Sequence, residues 1–438
     1  MLKRVLILLL IASTLPLFAQ EKLSLDKCIE LAFKNNEKIQ ISYATFLKSK
    51  AARGEVSSMF YPKLTFNAAY TRLSDVPDFE ILVPIFPAPI TVQESILNNY
   101  SLKLGFIQPL FTGFKLSSLK NAAGYKSEAA ELDYNAKTNQ VIFDVLRAYY
   151  NVVKALSVEQ IIDKNINGLS QHLEDTKAFL ENGLVTYNDY LKLQVELSKL
   201  KLRKIDASNA VKLSKNNLLL LIGLPPEENM ELEQSETKIT NHDYKLSELK
   251  SEAYKNRPEL KSIERGIAAA DEFAESKKAE YYPNIYLFGN FYYSRPNQRY
   301  MPLKDEFNET WDAGISLQWE LWNWGGTSAR VEQANQDKFI AEKNKTLVAN
   351  MIETEVLNAY LKYESELQKV NVNEEAVSSA KENYRLMDER YKNQLATGTE
   401  LVDAETMLLD AEINLYNARI DQKIAEAELK KVSGVKLY

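Results

Sequence analysis

Apolar positions along this chain follow two different periods, and the switches between them divide it into segments. Leu64, Phe66, Ala68 and Tyr70 alternate with Thr65, Asn67, Ala69 and Thr71, and Tyr100, Leu102, Leu104 and Phe106 alternate with Ser101, Lys103 and Gly105. Further on, Ile285, Leu287, Gly289 and Phe291 repeat the pattern, as do Trp311, Ala313, Ile315 and Leu317 against Asp312, Gly314 and Ser316. A period of two predicts strands with unlike faces. Elsewhere the steps are three and four: Leu193, Leu197, Leu200, and then Leu401, Ala404, Leu408, Ala411, Leu415, Ala418. That is a heptad seam built partly from small residues. No proline interrupts Lys115 to Leu224 and none follows Pro302. Read as one helix, Lys115 to Asn182 extends about 100 Å at 1.5 Å per residue; a bundle with unmarked turns is the alternative.

The pattern occurs twice. At an offset of 221, Leu25, Ala32, Asn35, Tyr61 and Pro62 fall on Leu246, Ala253, Asn256, Tyr282 and Pro283. At an offset of 211, Val145, Tyr149, Leu184, Thr186 and Gly223 fall on Val356, Tyr360, Leu395, Thr397 and Gly434. The ten-residue difference belongs to a longer loop after the first Tyr-Pro. A repeat this long is a duplicated domain-sized unit, far beyond solenoid periods of roughly 20–50 residues. We expect a first unit over 20–240 and a second over 241–438, each in the order helix, two strands, long helical hairpin.

The ends and the composition narrow the setting. Lys3 and Arg4, the apolar run Val5 to Ala12, and Leu17-Phe18-Ala19 read as a signal peptide over 1–19, the apolar run being too short for a membrane anchor. Gln20, not cysteine, follows the expected cut, which argues against a lipoprotein. One cysteine leaves no internal disulfide, so Cys28 reads as a small buried apolar residue. His172 and His242 stand apart from any metal-ligand cluster, and a net charge of -6 offers no basic surface for nucleic acid. There is no P-loop, no Ser/His/Asp arrangement and no redox cluster; we expect no enzyme activity and no cofactor.

Alternation over about ten residues with aromatics near the ends suits a transmembrane β-barrel strand, though each segment alone would also suit a soluble sheet. Behind a signal peptide and between very long helices, the membrane reading is favoured. Four strands cannot close a barrel, and open sheet edges are not tolerated in lipid. A barrel would have to be shared among protomers, in a number that the pattern does not fix.

The chain here resembles the TolC family of outer-membrane efflux and secretion channels over essentially its whole mature length. Tyr61-Pro62 and Tyr282-Pro283 precede the first strand of each unit. Gln108-Pro109-Leu110-Phe111 with Gly113, and Leu321-Trp322-Asn323-Trp324-Gly325-Gly326, follow the second. The third motif is the helix–turn–helix tip Gly183-Leu184-Val185-Thr186-Tyr187-Asn188-Asp189, matched by Gln394-Leu395-Ala396-Thr397-Gly398-Thr399-Glu400 and then Leu401-Val402-Asp403-Ala404. The resemblance implies a mixed α/β membrane protein. It would be a homotrimer whose twelve strands, four per protomer, form one barrel in outer-membrane lipid, with twelve helices forming a periplasmic tunnel. An equatorial belt would come from Pro225 to Leu249 and the C-terminal tail. Function would be passive conduction, energised by an inner-membrane transporter and a periplasmic adaptor.

The resemblance also implies roles for the tips. Glu400 and Asp403 match the acidic rings of the periplasmic gate. Spaced by three, they share a helix face, and threefold symmetry would make each a ring selecting cations; acids in a first helical turn also simply complement the helix dipole. Asp189 and Tyr391 match residues that hold the closed tip by inter-helix hydrogen bonds, while the basic partner's position holds Ala396, so the lock must differ. Gly183, Leu184, Gln394 and Leu395 are adaptor-contacting candidates, with tip packing as the plainer role. The loop from Ser74 to Leu97 is expected outside the cell, either folded over the mouth or a neighbour, or disordered. Three functions follow: the exit duct of a tripartite efflux system, the outlet of a type I protein-secretion system, or a soluble periplasmic coiled-coil adaptor.

Overall fold

A computed structural model describes residues 22–226, 231–233 and 242–437. The expected signal peptide lies outside the described residues, as do 227–230 and 234–241 of the expected belt. Helices α1 (Leu25–Asn35) and α2 (Glu37–Ser58) lead into β1 (Lys63–Arg72). A small hairpin of β2 (Phe79–Ile81) and β3 (Ile90–Gln93) precedes β4 (Asn98–Phe111). Helices α3 (Lys115–Glu181) and α4 (Tyr187–Leu221) close the first pass. The second runs α5 (Leu246–Asn256), α6 (Pro258–Lys278), β5 (Asn284–Arg295), β6 (Asn308–Gln318), α7 (Gly326–Lys392) and α8 (Gly398–Val432). The long helices are unbroken, and their lengths match between passes: 67 residues for α3 and α7, 35 for α4 and α8. The alternative of a bundle with unmarked turns is thereby excluded.

The duplication extends to the backbone. Among the described residues, positive φ occurs at Gly113, Phe114, Gly183 and Gly223, and at Trp324, Gly325, Gln394 and Gly434. Each of the second four lies 211 residues after its counterpart. Left-handed backbone costs a non-glycine residue roughly 1–2 kcal/mol, yet Gln394 and Trp324 adopt it where the first copy has glycine. The fold demands the conformation, and the sequence meets it differently in each copy.

The chain forms two compact units, each drawing on both copies. One comprises Thr45–Leu132 and Lys261–Thr346 and contains the strands. Its four-stranded antiparallel sheet has the order β1-β4-β5-β6, leaving β1 and β6 as open edges. Register keeps the faces in phase, so that Phe66, Leu104, Phe291 and Trp311 form one row across all four strands. The row Thr65, Gly105, Asn290 and Asp312 lies on the other face. The first face is apolar and exposed (Phe66 67%, Trp311 73%, Ile315 68%). On the polar face, Asn290 Nδ2 donates to Asp312 Oδ1 at 2.7 Å. A side chain at Gly105 would meet Asn290 Oδ1 at 2.8 Å, so glycine is needed to seat that amide.

The other unit comprises the described part of Met1–Ala44 together with Asp133–Leu260 and Leu347–Tyr438. Its core is duplicated as well. Ala32, Val145 and Leu218 are fully buried in one cluster, and their counterparts Ala253, Val356 and Leu429 in another. Cys28 is fully buried in the first cluster, and burial pushes its thiol up to about 12. The glycines ending α4 and α8 pack on the first helix of their own copy: a Cβ at Gly223 would lie 2.5 Å from Asn35, and one at Gly434 2.8 Å from Asn256. Of the expected seam, Leu401, Ala404 and Ala418 are buried, whereas Leu408, Ala411 and Leu415 are only partly covered.

Candidate functional site

Two features carry the chemistry, the faces of the sheet and the tips of the long helices. The apolar face of the sheet ends in aromatic side chains on both sides. At one end stand Phe60, Tyr61, Phe114, Tyr281, Tyr282, Trp319, Trp322 and Trp324, all exposed. At the other, Tyr100 sits 5.0 Å from Tyr70 and 5.8 Å from Phe307, which stacks on Tyr293 at 5.0 Å. Apolar residues between two aromatic girdles form the lipid-facing band of an outer-membrane barrel. No helix among the described residues is long and apolar enough to cross a membrane. The expected loop carries a small sheet of its own, β2 paired with β3, and between these strands Leu82 (77%) and Ile85 (87%) are exposed.

Each helical hairpin turns by the same chemistry. After α3, Gly183 at φ 72° lets Leu184 N donate to Phe179 O at 2.9 Å; after α7, Gln394 at φ 61° lets Leu395 N donate to Arg390 O at 2.8 Å. These are Schellman closures that satisfy the last carbonyls of the helix. The next helix opens with a capping box. Asp189 N donates to Thr186 Oγ1 at 3.2 Å, and Asp189 Oδ2 accepts from Thr186 N at 3.3 Å. Glu400 Oε2 likewise accepts from Thr397 N at 2.7 Å and Thr397 Oγ1 at 3.0 Å. These two bonds hold the Glu400 carboxyl below its ordinary range.

Gly183, Leu184, Asp189, Tyr391, Gln394, Leu395 and Glu400 line one cleft of 640 Å³. Asp403 does not join them; it lines a neighbouring cleft of 400 Å³ with Lys192 and Lys199. The capping box folds Glu400 back onto Thr397, so within one chain the two acids face different surroundings. Leu184 (50%) and Leu395 (68%) are exposed. Tyr391, 4% exposed, bonds to Thr176 Oγ1 at 2.5 Å. Thr176 spends its single proton on His172 O at 2.6 Å, so the tyrosine donates. Burial raises Tyr391 above its ordinary range, and the charges of Asp175 and Asp189 raise it further. Asp189 is thus near Tyr391, although its hydrogen bonds go to Thr186. Next to the uncharged Ala396, Arg390 brings a cation to this tip, its Nη2 donating to Leu395 O at 3.1 Å.

Sequence reasoning missed Thr176 and Glu405. Glu405, 8% exposed, has an Oε2 without a hydrogen-bond partner. Burial and then the charge of Asp388 push its carboxyl up to about 7. A signal was present: residue 405 lies one turn after Leu401 and so falls on the seam. Thr176 left none, since a threonine in a polar helical stretch reads as surface. Among the described residues no group of His, Cys, Asp and Glu could hold a metal.

A sheet with a lipid-facing band and helical hairpins with clefts at their tips define an outer-membrane channel protein. The outer membrane efflux protein family profile matches residues 28–224 and 249–435, one stretch in each copy, and the chain belongs to that family. It is 21% identical over 335 residues to outer membrane protein TolC of Vibrio cholerae, covering 76% of each chain. It is 22% identical over 358 residues to alkaline protease secretion protein AprF of Pseudomonas aeruginosa, covering 77% of this chain and 70% of that one. Among solved structures, the Vibrio cholerae outer membrane protein VceC superposes with a TM-score of 0.76 at 17% identity, over 94% of this chain and 97% of its own. CusC gives a TM-score of 0.77 at 15% identity, over 94% and 92%. The protein is an outer-membrane duct of the efflux and secretion type.

Proposed function

We propose that the protein is the exit duct of a tripartite efflux system, conducting substrates passively when docked to a periplasmic adaptor and an inner-membrane transporter. The observation that carries this reading is a sheet with a lipid-facing band and two open edges, β1 and β6. Such edges need partners in lipid, and three copies supply them in a twelve-stranded barrel. In this reading the signal peptide 1–19 is removed and the units 20–240 and 241–438 each contribute two strands and a hairpin. Leu184 and Leu395, with Gly183 and Gln394, form the adaptor-contacting tips. Asp189 and Tyr391 hold the tips closed. Glu400 and Asp403, repeated by threefold symmetry, give acidic rings at the periplasmic gate.

The test is reconstitution. Heat-modifiable trimers of low conductance in planar bilayers are expected, with block by multivalent cations that weakens when Glu400 and Asp403 are both replaced by Ala. Monomers released by carbonate washing would refute the duct; unchanged block would refute the acidic rings alone. The likeness to a protein named for alkaline protease secretion supports a second reading, the outlet of a type I protein-secretion system. A deletion strain that loses one secreted polypeptide while keeping its drug tolerance would select it.

A further inference from the structure

We propose that Glu405 is a pH-sensitive latch: protonated, it lets α8 stay packed on α3 and α7 at the tip, and ionised, it loosens that packing. Glu405 stands seven residues, about two turns, into α8. On α3 it faces Gly168, where an added Cβ would lie 3.2 Å from Glu405 Oε1, so the glycine leaves room for the carboxyl. The same helix presents His172, 9% exposed, whose Nε2 lies 3.1 Å from Tyr384 Oη, and Asp175, whose charge acts on His172. On α7 the facing groups are Tyr384 and Asp388, and both the Glu405 and Asp388 charges act on that tyrosine. From α4, Glu196, Lys199 and Arg203 line a 200 Å³ cavity that Glu405 also lines.

The cations around this carboxyl are engaged elsewhere. Lys392 bonds Asp388 Oδ2 at 2.7 Å, Lys199 bonds Glu196 at 2.9 Å, and Arg203 bonds Asp410 at 3.1 Å. Two acceptor atoms are therefore buried without partners, Glu405 Oε2 and Asp388 Oδ1. A buried carboxylate with no counter-ion is costly, and a proton on one of two neighbouring acids removes that cost. Burial also lowers His172, so the imidazole is a poor counter-ion near neutrality.

The direction follows from linkage. A carboxyl raised from 4.5 to about 7 in the packed tip favours packing fully below 4.5, and that contribution is lost as pH rises through 7. The packed-to-loosened ratio falls by a factor of about ten for each pH unit between those two values, up to about 300-fold across the whole window.

The proposal rests on the tip being the gate, and the experiment separates the two ideas. Amide exchange of the segment 396–412 is followed in the assembled full-length protein from pH 5.5 to 8, corrected for intrinsic exchange, alongside conductance in planar bilayers. The wild type is expected to open more with rising pH and to level off above 7, and Glu405→Gln is expected to remove the slope. Asp388→Asn, which frees Lys392 and deletes a negative charge, should move the midpoint to lower pH; it carries the test if the glutamine variant does not assemble. A slope shared by the wild type and Glu405→Gln, or a midpoint unmoved by Asp388→Asn, overturns the latch. Exchange that follows pH and Glu405 while conductance does not supports the latch and overturns the gate reading instead.

Discussion

The Tyr391–Thr176 contact joins α7 to α3 just before both helices turn, and its hydrogen-bond direction makes an asymmetric prediction. Tyr391→Phe removes a donor. Thr176 still donates to His172 O, and the loss is an ordinary neutral hydrogen bond, about 1 kcal/mol. Thr176→Val leaves the Tyr391 hydroxyl in a site where the tyrosine is 4% exposed and the threonine fully buried. A stranded buried donor costs about 1–3 kcal/mol. The valine variant should therefore be the worse of the two. The double variant should cost less than the sum, with a coupling of about 1 kcal/mol, because removing both partners strands nothing. Amide exchange over 176–184 and 388–397 in the assembled protein measures all four corners, and the phenylalanine variant should exchange about fivefold faster. Additive effects, or a larger loss for Tyr391→Phe, would refute the assignment of the tyrosine as donor.

Two further predictions concern the turns. Thr397→Ala removes the N-cap of α8 and should cost about 1 kcal/mol, seen as faster exchange in its first turn, with Thr397→Ser retaining protection; an unchanged first turn would mean that the capping box contributes nothing. Gly113→Ala places a Cβ 2.6 Å from Ala279 O at a φ of 60°, whereas Gly325→Ala, at a φ of 82°, meets nothing within 4 Å. The first should reduce the yield of heat-modifiable oligomer sharply and the second only mildly; equal yields would show that strain, not the clash with Ala279, governs the site.

Much of this architecture was written into local patterns. Alternation at Leu64–Tyr70 and Trp311–Leu317 determined which side of each strand is apolar, because side chains on a strand alternate whatever the strand pairs with. The absence of proline and the heptad steps determined helical segments, and the structure excluded turns within them. The offsets of 221 and 211 determined that the plan occurs twice, and the paired positive φ values at Gly183/Gln394 and Gly223/Gly434 show the backbone obeying that plan. The tertiary structure decided what depends on neighbours distant in sequence. Register, set by the pairing of β1 with β4, β4 with β5 and β5 with β6, turned four separate alternations into one apolar face. Packing of α8 among α3, α4 and α7 decided that Glu405 is buried while Asp403, two residues earlier, is exposed. The seam places residue 405 one turn after Leu401 and leaves residue 403 off it, but only the helices around them make the first a buried carboxyl with an unpartnered oxygen.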